Sequence, residues 1–308
     1  MVNSEYQQVI EQEIQRHKLP KEFMSTISDF YKPLAEKIIQ NSNKRNSSQF
    51  LFLGLQGTQG SGKSTCAAFL KLLFEEAYKK RTLVISIDDF YLTLNERQTL
   101  ANEVHPLLIT RGVPGTHDLG LLQNTLQACN DLTNLPFQAP VFNKAADDRH
   151  PPSNWQTINE PVDIIILEGW CVGIPPQSEG ALNKAINELE LKEDSEKNWR
   201  KYVNQQLKGN YAELYAQFDH LITLQAPSFE CVYEWRLLQE QKLKHSLMEL
   251  GKEKNATKVL SPIELKRFIS HYERLTRHAL EVLPEKSDWV LSLNADHSFS
   301  RLIINTNK

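Results

Sequence analysis

Gly57-Thr-Gln-Gly-Ser-Gly62-Lys63-Ser64 matches the pattern G-x-x-x-x-G-K-[ST] at every fixed position, and the reading of this stretch decides the fold. Just before it, Gln49-Phe-Leu-Phe-Leu-Gly-Leu-Gln56 is an apolar run of buried-strand length. Just after it, Thr65 to Tyr78 carries Phe69, Leu70, Leu73 and Phe74 at helical spacing. A Gly-rich turn with a surface lysine would account for the motif alone, but not for the strand and helix around it. Glycines let the backbone wrap an anion without Cβ clashes, so successive N–H groups and the positive end of the following helix face phosphate oxygens. The expected nucleotide contacts are therefore Gly57, Thr58, Gln59, Gly60, Ser61, Gly62, Lys63, Ser64 and Thr65. Lys63 is expected to reach the β- and γ-phosphates, and the Ser64 hydroxyl to coordinate Mg²⁺.

The 308 residues, 40% of them hydrophobic, suffice for one large α/β domain. A formal net charge of −3 supplies no basic field, so neither nucleic acid nor an anionic membrane is expected as a partner. Cys66, Cys129, Cys171 and Cys231 are far apart and read as reduced core thiols rather than as a zinc site or disulfide framework. The start, Met-Val-Asn-Ser-Glu-Tyr, lacks the pattern of a signal peptide, and no apolar run approaches a membrane span. A cytoplasmic protein with a small-molecule partner is expected; the oligomeric state is not readable.

Outward from the loop, residues 1 to 48 read as a helical extension whose stripe Phe23, Ile27, Phe30, Leu34 and Ile38 would lie across the domain at 49 to 308. Thr82 to Ile87 is a second strand, ending in Asp88-Asp89-Phe-Tyr91. Leu92 to Asp118 reads as a long irregular segment, of the kind that is usually functional. A helix follows from about Leu119 to Leu132, then a weak extended piece, Gln138 to Lys144, and a polar run, Asp147 to Pro152, read as loop. Val162 to Leu167 has the continuous aliphatic character of a parallel strand buried on both faces, and it ends in Glu168-Gly169-Trp170. Residues 175 to 198 read as a surface insertion with a helical portion, and Trp199 to Tyr215 as one helix. His220 to Leu224 and Asp288 to Leu293 are strands, the second being the last core strand. Between them lie a charged helix, Phe229 to Leu250, and one started by Ser261-Pro-Ile-Glu264. Five or six strands alternating with helices imply an α/β fold with a mostly parallel sheet covered on both faces, and ligands at the carboxyl ends of its strands.

Three of those ends carry informative polar residues: the loop itself, Asp88 with Asp89, and Glu168. Phosphoryl transfer to a hydroxyl needs an in-line oxygen, an acceptor for its proton, and Mg²⁺ across the β- and γ-oxygens. Asp88 is assigned as general base and Glu168 as the residue that orients Mg²⁺ or its waters, being long enough to act through water. A capped turn would be the plain alternative for Asp88 and Asp89. Arg236, with Lys242 or Lys244, is a candidate lid that would neutralise transition-state charge, although exposed helices carry such residues for solubility alone. Arg111, His117, Asp118, Lys144 and Arg149 are the loop groups available to an acceptor, and the arginines suit a carboxylate.

The segments Gly57–Ser64, Ser86-Ile-Asp-Asp-Phe-Tyr-Leu92, Arg111-Gly-Val-Pro-Gly-Thr-His-Asp118, Pro140-Val-Phe-Asn-Lys144 and Leu167-Glu-Gly-Trp170 together resemble the P-loop D-glycerate 3-kinases and their fungal ATP-binding relatives, over roughly residues 49 to 295. The Asp-Asp-Phe-Tyr segment is more distantly similar to uridine kinase, pantothenate kinase and phosphoribulokinase. The resemblance implies a P-loop kinase fold in which the first strand adjoins the Glu168 strand. It implies ATP-dependent phosphorylation of a small metabolite, Asp88 as base, Tyr91 among the acceptor contacts, and Arg236 in the lid. The expected activity is thus a cytoplasmic Mg-ATP-dependent kinase acting on D-glycerate. Pantothenate, a nucleoside or a sugar phosphate are the alternative acceptors, and an ATP-binding regulatory module is the alternative without catalysis.

Overall fold

The computed structural model describes residues 4–43, 49–131, 133, 135–249 and 260–305, with backbone alone for 4, 5 and 243–249. Its centre is a six-stranded sheet built from β1 (Leu51–Gly57), β2 (Thr82–Ser86), β7 (Ile164–Gly169), β8 (His220–Gln225), β9 (Trp289–Leu293) and β10 (Phe299–Ile304). The order is β10-β9-β8-β1-β7-β2, parallel throughout except for β10, which runs antiparallel along the β9 edge. The strand β10 goes beyond the expectation that Asp288 to Leu293 closes the core. Its residues, none of them fully buried, have an edge character that a search for buried aliphatic runs passes over.

The most aliphatic strand takes the site-forming position. Flanked by β1 and β2, β7 is buried along its whole length, with Ile165 and Leu167 in one core layer and Ile164 and Ile166 in the other. A strand buried on both faces needs apolar residues at successive positions, which is the pattern of Ile-Ile-Ile-Leu. On one face lies α4 (Lys63–Tyr78), burying Phe69, Leu70, Leu73 and Phe74. With it pack α1 (Ser4–Arg16), α2 (Phe23–Thr26) and α3 (Lys32–Ser42), the last two joined by a π-helical turn, Ile27–Tyr31. Ile27, Leu34 and Ile38 of the expected stripe are buried there, and Phe23 meets Phe69 at 5.3 Å between ring centroids. Helices α1 to α3 therefore share the core of the sheet, from Ile10 to Ile39.

The opposite face is covered by α6 (Leu119–Asn130), α8 (Asn198–Lys208), α9 (Asn210–Tyr215) and α11 (Pro262–Lys286). Gly209 separates α8 from α9, where the sequence reads as one helix, because its backbone leaves the helical region. The 175–198 segment contains a short helix, α7 (Glu188–Glu193), anchored from beneath. Arg274 of α11 grips Glu190 through two 2.6 Å bonds, and Arg200 holds Asp194 at 2.7 Å. The helix α10 (Phe229–Glu249) crosses near the phosphate loop.

The stretch Leu92 to Asp118 is not irregular. It holds a ten-residue helix, α5 (Leu94–Glu103), opened by a capping box between Thr93 and Glu96, and a 3₁₀ turn, Pro106–Ile109. The helix lacks an apolar stripe, since its fully buried member is Arg97, so periodicity gave no sign of it. The polar run at Asp147 is also not wholly loop. Antiparallel pairing joins β4 (Phe142–Asn143) to β5 (Asp148–Arg149), as it joins β3 (Phe137–Ala139) to β6 (Gln156–Ile158). The Asn143 side chain accepts from the N–H groups of Ala145 and Ala146, and Asp147 takes φ +56°, which closes the β4–β5 turn. No described helix is long and apolar enough to cross a membrane.

Candidate active site

The phosphate loop leaves β1 at Gly57 and enters α4 at Lys63. Gly60 and Gly62 adopt φ +80° and +84°, the left-handed region that glycine enters without penalty. A Cβ placed on Gly62 would meet nothing within 4 Å, so the cradle is open on that side. At Gly60 a Cβ would stand 2.7 Å from the Trp235 Cβ, so α10 backs directly onto the loop. Trp235 is fixed in turn by a 2.7 Å bond to the Ala295 carbonyl and by stacking on His297 at 4.3 Å. Among the described residues the buried Thr58 Oγ1, Gln59 Oε1 and Ser61 Oγ have no hydrogen-bond partner.

Parallel register brings Glu168 level with Leu55 of β1 and Ser86 of β2. Its carboxylate is buried, with Oε1 accepting from Ser64 Oγ at 3.2 Å and Lys63 Nζ lying 3.9 Å from Oε2. Oε2 has no hydrogen bond among the described residues. A hydroxyl and a carboxylate at the mouth of an anion cradle are hard oxygen donors, a set that fits Mg²⁺ shared with phosphate oxygens.

The two aspartates after β2 divide. Asp89 accepts the Phe142 N–H at 3.1 Å and so ties the β4–β5 hairpin to the sheet edge; burial raises its carboxyl above the ordinary carboxylate range. Asp88 instead presents a half-buried carboxylate, with Oδ1 accepting from the Tyr91 hydroxyl at 2.9 Å and Oδ2 from Lys144 Nζ at 3.1 Å. Burial pushes Asp88 upward, but the charges of Lys144 and Lys63 outweigh it and hold the carboxyl below its usual value.

The loop residues expected to serve an acceptor are tied to Tyr91 and to the β4–β5 hairpin. His117 stacks on Tyr91 at 4.6 Å, and burial depresses its pKa to about 4 against a partial offset from Asp88. Arg149 donates to the Tyr91 carbonyl at 3.0 Å and to Asp118 at 3.2 Å, while Asp118 also caps α6 through the Leu121 N–H. Arg111 lies over the Phe142 ring and is paired with Asp147. Asp147 is itself clamped by the buried Arg97, which reaches its carboxylate at 3.1 Å and its carbonyl at 2.5 Å. Arg236 is paired with the buried Glu240 and lies close enough to Tyr272 to act on its hydroxyl, as do Arg111 and Asp88. Lys242 is exposed, and the Lys244 side chain lies outside the described residues. Cavities of about 730 Å³, between α7, α10 and α11, and about 570 Å³, below β8 and β9, lie apart from the loop.

No family model matches the chain. It is 32% identical over 245 residues to the "uncharacterized kinase mug58" of Schizosaccharomyces pombe, covering 77% of this chain and 83% of that one. It is 31% identical over 271 residues to the chloroplastic D-glycerate 3-kinase of Arabidopsis thaliana, covering 83% of this chain and 54% of that longer one. The chain belongs to the P-loop kinase family that includes D-glycerate 3-kinase. The solved structure of a Cryptococcus neoformans D-glycerate 3-kinase shares the fold of this kinase, with a TM-score of 0.71 over 92% of this chain and 99% of that one at 24% identity.

Sequence reading missed several residues that shape the candidate site. Arg97 and Asp147, which orient Arg111, carry no motif. Tyr272 and Tyr211 come from helices far along the chain and meet the 111–118 loop only in three dimensions. The one available signal was glycine spacing. Gly112 and Gly115 take φ +136° and +98° where Tyr272 and Tyr202 press on the loop.

Proposed function

We propose that the chain transfers the γ-phosphoryl group of ATP to a hydroxyl of a small carboxylate-bearing metabolite, with D-glycerate as the acceptor. The observation that carries this reading is the anionic Asp88 carboxylate, standing between Tyr91 and Lys144 at the strand edge that also carries the phosphate loop. An acceptor hydroxyl against Asp88 passes its proton to the carboxylate as oxygen bonds to the γ-phosphorus and ADP departs. Lys63 supplies a fixed positive charge toward the transferring group. Ser64 and Glu168 would hold Mg²⁺ or its waters, and the ion would supply charge neutralisation to the phosphates. Arg111, paired with Asp147, and Arg149, paired with Asp118, are the guanidinium groups whose remaining N–H donors an acceptor carboxylate would engage. Arg236, one residue after the Trp235 that backs onto the loop, would supply charge toward the phosphates.

D-glycerate is favoured by the names of the Arabidopsis and Cryptococcus proteins and by two arginines held against Tyr91 and Phe142. A nucleotide-binding module without an acceptor would need no such carboxylate. The test is ATP consumption with D-glycerate, L-glycerate, pantothenate, uridine and ribulose 5-phosphate, with the phosphorylated product identified. D-glycerate is expected to stimulate most. Stimulation by another of them replaces the acceptor and keeps the kinase, and stimulation by none favours the binding module.

A further inference from the structure

Tyr211 and His117 meet beside the Asp88 site in a way that decides which ring nitrogen carries a proton. Tyr211 is 1% exposed; its hydroxyl oxygen accepts the Gly115 N–H at 2.9 Å and lies 2.6 Å from His117 Nδ1. A phenol has one hydrogen to donate. Were Nδ1 protonated, the imidazole would donate to Tyr211, and the buried phenolic hydrogen would have no acceptor among the described residues. Leaving a buried donor unmatched is the costlier arrangement. So Tyr211 donates, Nδ1 accepts, and the proton of the neutral ring resides on Nε2.

Among the described residues nothing uses that proton. Nε2 is buried and has no hydrogen-bond partner among the described residues. The ring is held by stacking on Tyr91, whose hydroxyl binds Asp88 Oδ1 at 2.9 Å. His117 is 6% exposed and lies within electrostatic reach of that carboxylate. A rigid, unmatched N–H beside the proposed base is a donor awaiting an oxygen. Resting on the kinase reading above, we propose that Tyr211 is a positioning residue that locks His117 as its Nε2–H tautomer, and that this N–H donates to an oxygen of the acceptor molecule. The pair would then select for a hydroxyl or carboxylate oxygen at that place and against an acceptor presenting N–H there.

The test has two arms on the full chain. Nitrogen-15 spectra of the imidazole groups are expected to show His117 protonated on Nε2 in the parent and a gain of the Nδ1–H form in Tyr211→Phe. A parent His117 protonated on Nδ1 overturns the proposal. In the kinetic arm, Gln places its amide near the Nε2 position and Asn near Nδ1. His117→Asn is expected to raise the KM for the stimulating acceptor about tenfold, His117→Gln to keep it within about threefold, and Tyr211→Phe to fall between them. The KM for ATP should stay constant throughout. Equal rises in folded Gln and Asn variants overturn the proposal. If no acceptor stimulates the parent, the kinase reading fails, and the spectra alone decide the role of Tyr211.

Discussion

Ser64 Oγ donates to Glu168 Oε1 at 3.2 Å, across a gap of 104 residues in the chain. The bond joins the first turn of α4 to the end of β7, and it exists because β7 lies beside β1 in parallel register. Removing the lysine next to Ser64 tests the loop. Lys63→Ala is expected to abolish nearly all transfer, at least about 10²-fold, because a water-poor site loses its fixed countercharge to the phosphates. Folding should survive, as seen by circular dichroism. A folded variant turning over at the parent rate would reduce the loop to a structural turn.

Asp88→Asn should lower transfer about 10²- to 10⁴-fold and leave ATP affinity nearly intact, since an amide cannot accept the hydroxyl proton. Asp89→Asn should act mainly on stability, through the Phe142 contact that pins the hairpin. Comparing kcat with the unfolding midpoint separates the two. If Asp89→Asn proved the more damaging to kcat, the roles drawn here would be exchanged.

Arg236→Ala is expected to lower kcat more than it raises the KM for ATP, as for a group that acts in the transition state. The same change releases Glu240, so Glu240→Gln serves as the control for the broken ion pair. Similar kinetics in the two variants would assign Arg236 to helix structure.

Arg97→Met should destabilise the fold by about 1 to 3 kcal/mol, because the Leu92, Ile109 and Asp147 carbonyls lose a charged donor while the part-exposed Asp147 carboxylate keeps water and Arg111. Arg97 is fully buried and binds Asp147 and the Ile109 carbonyl, the latter at 2.6 Å. Urea unfolding measures the loss. A change below about 1 kcal/mol would mean that these carbonyls find water at no cost and that the clamp on Arg111 is unimportant.

His117 makes stability depend on pH in a definite direction. Its pKa falls from 6.5 to about 4 on folding, because burial disfavours the charged ring. Between those values the unfolded chain binds the extra proton, so stability is lost as pH falls through that window and is fully present above about pH 6.5. The contribution is on the order of 3 kcal/mol, and His117→Gln should flatten the parent's decline by that amount. Parallel curves for the two proteins would contradict the burial of a neutral ring.

The loop, the aliphatic β7 run and the three polar strand ends were legible from the residues, because each is a local pattern with a local cause. Glycine is needed where the backbone turns left-handed, and apolar residues in succession are needed where both faces of a strand are covered. The adjacency of Glu168 and Ser64 follows once β7 is placed beside β1, a placement the family resemblance implied and that continuous hydrophobicity could not by itself specify. Asp88 was singled out as base by its motif position, whereas the different surroundings of Asp88 and Asp89 appear only in the tertiary structure, where the Tyr91 hydroxyl meets the first carboxylate and the Phe142 N–H the second. Helix α5 was hidden because its buried face is carried by an arginine rather than by an apolar stripe. The Tyr211–His117 bond spans 94 residues, and the Tyr272–Arg111 bond 161. Neither leaves a trace in local periodicity. Hydrogen bonds between distant polar groups depend on the orientation of whole helices on the sheet, so they appear only when the core has set those helices in place.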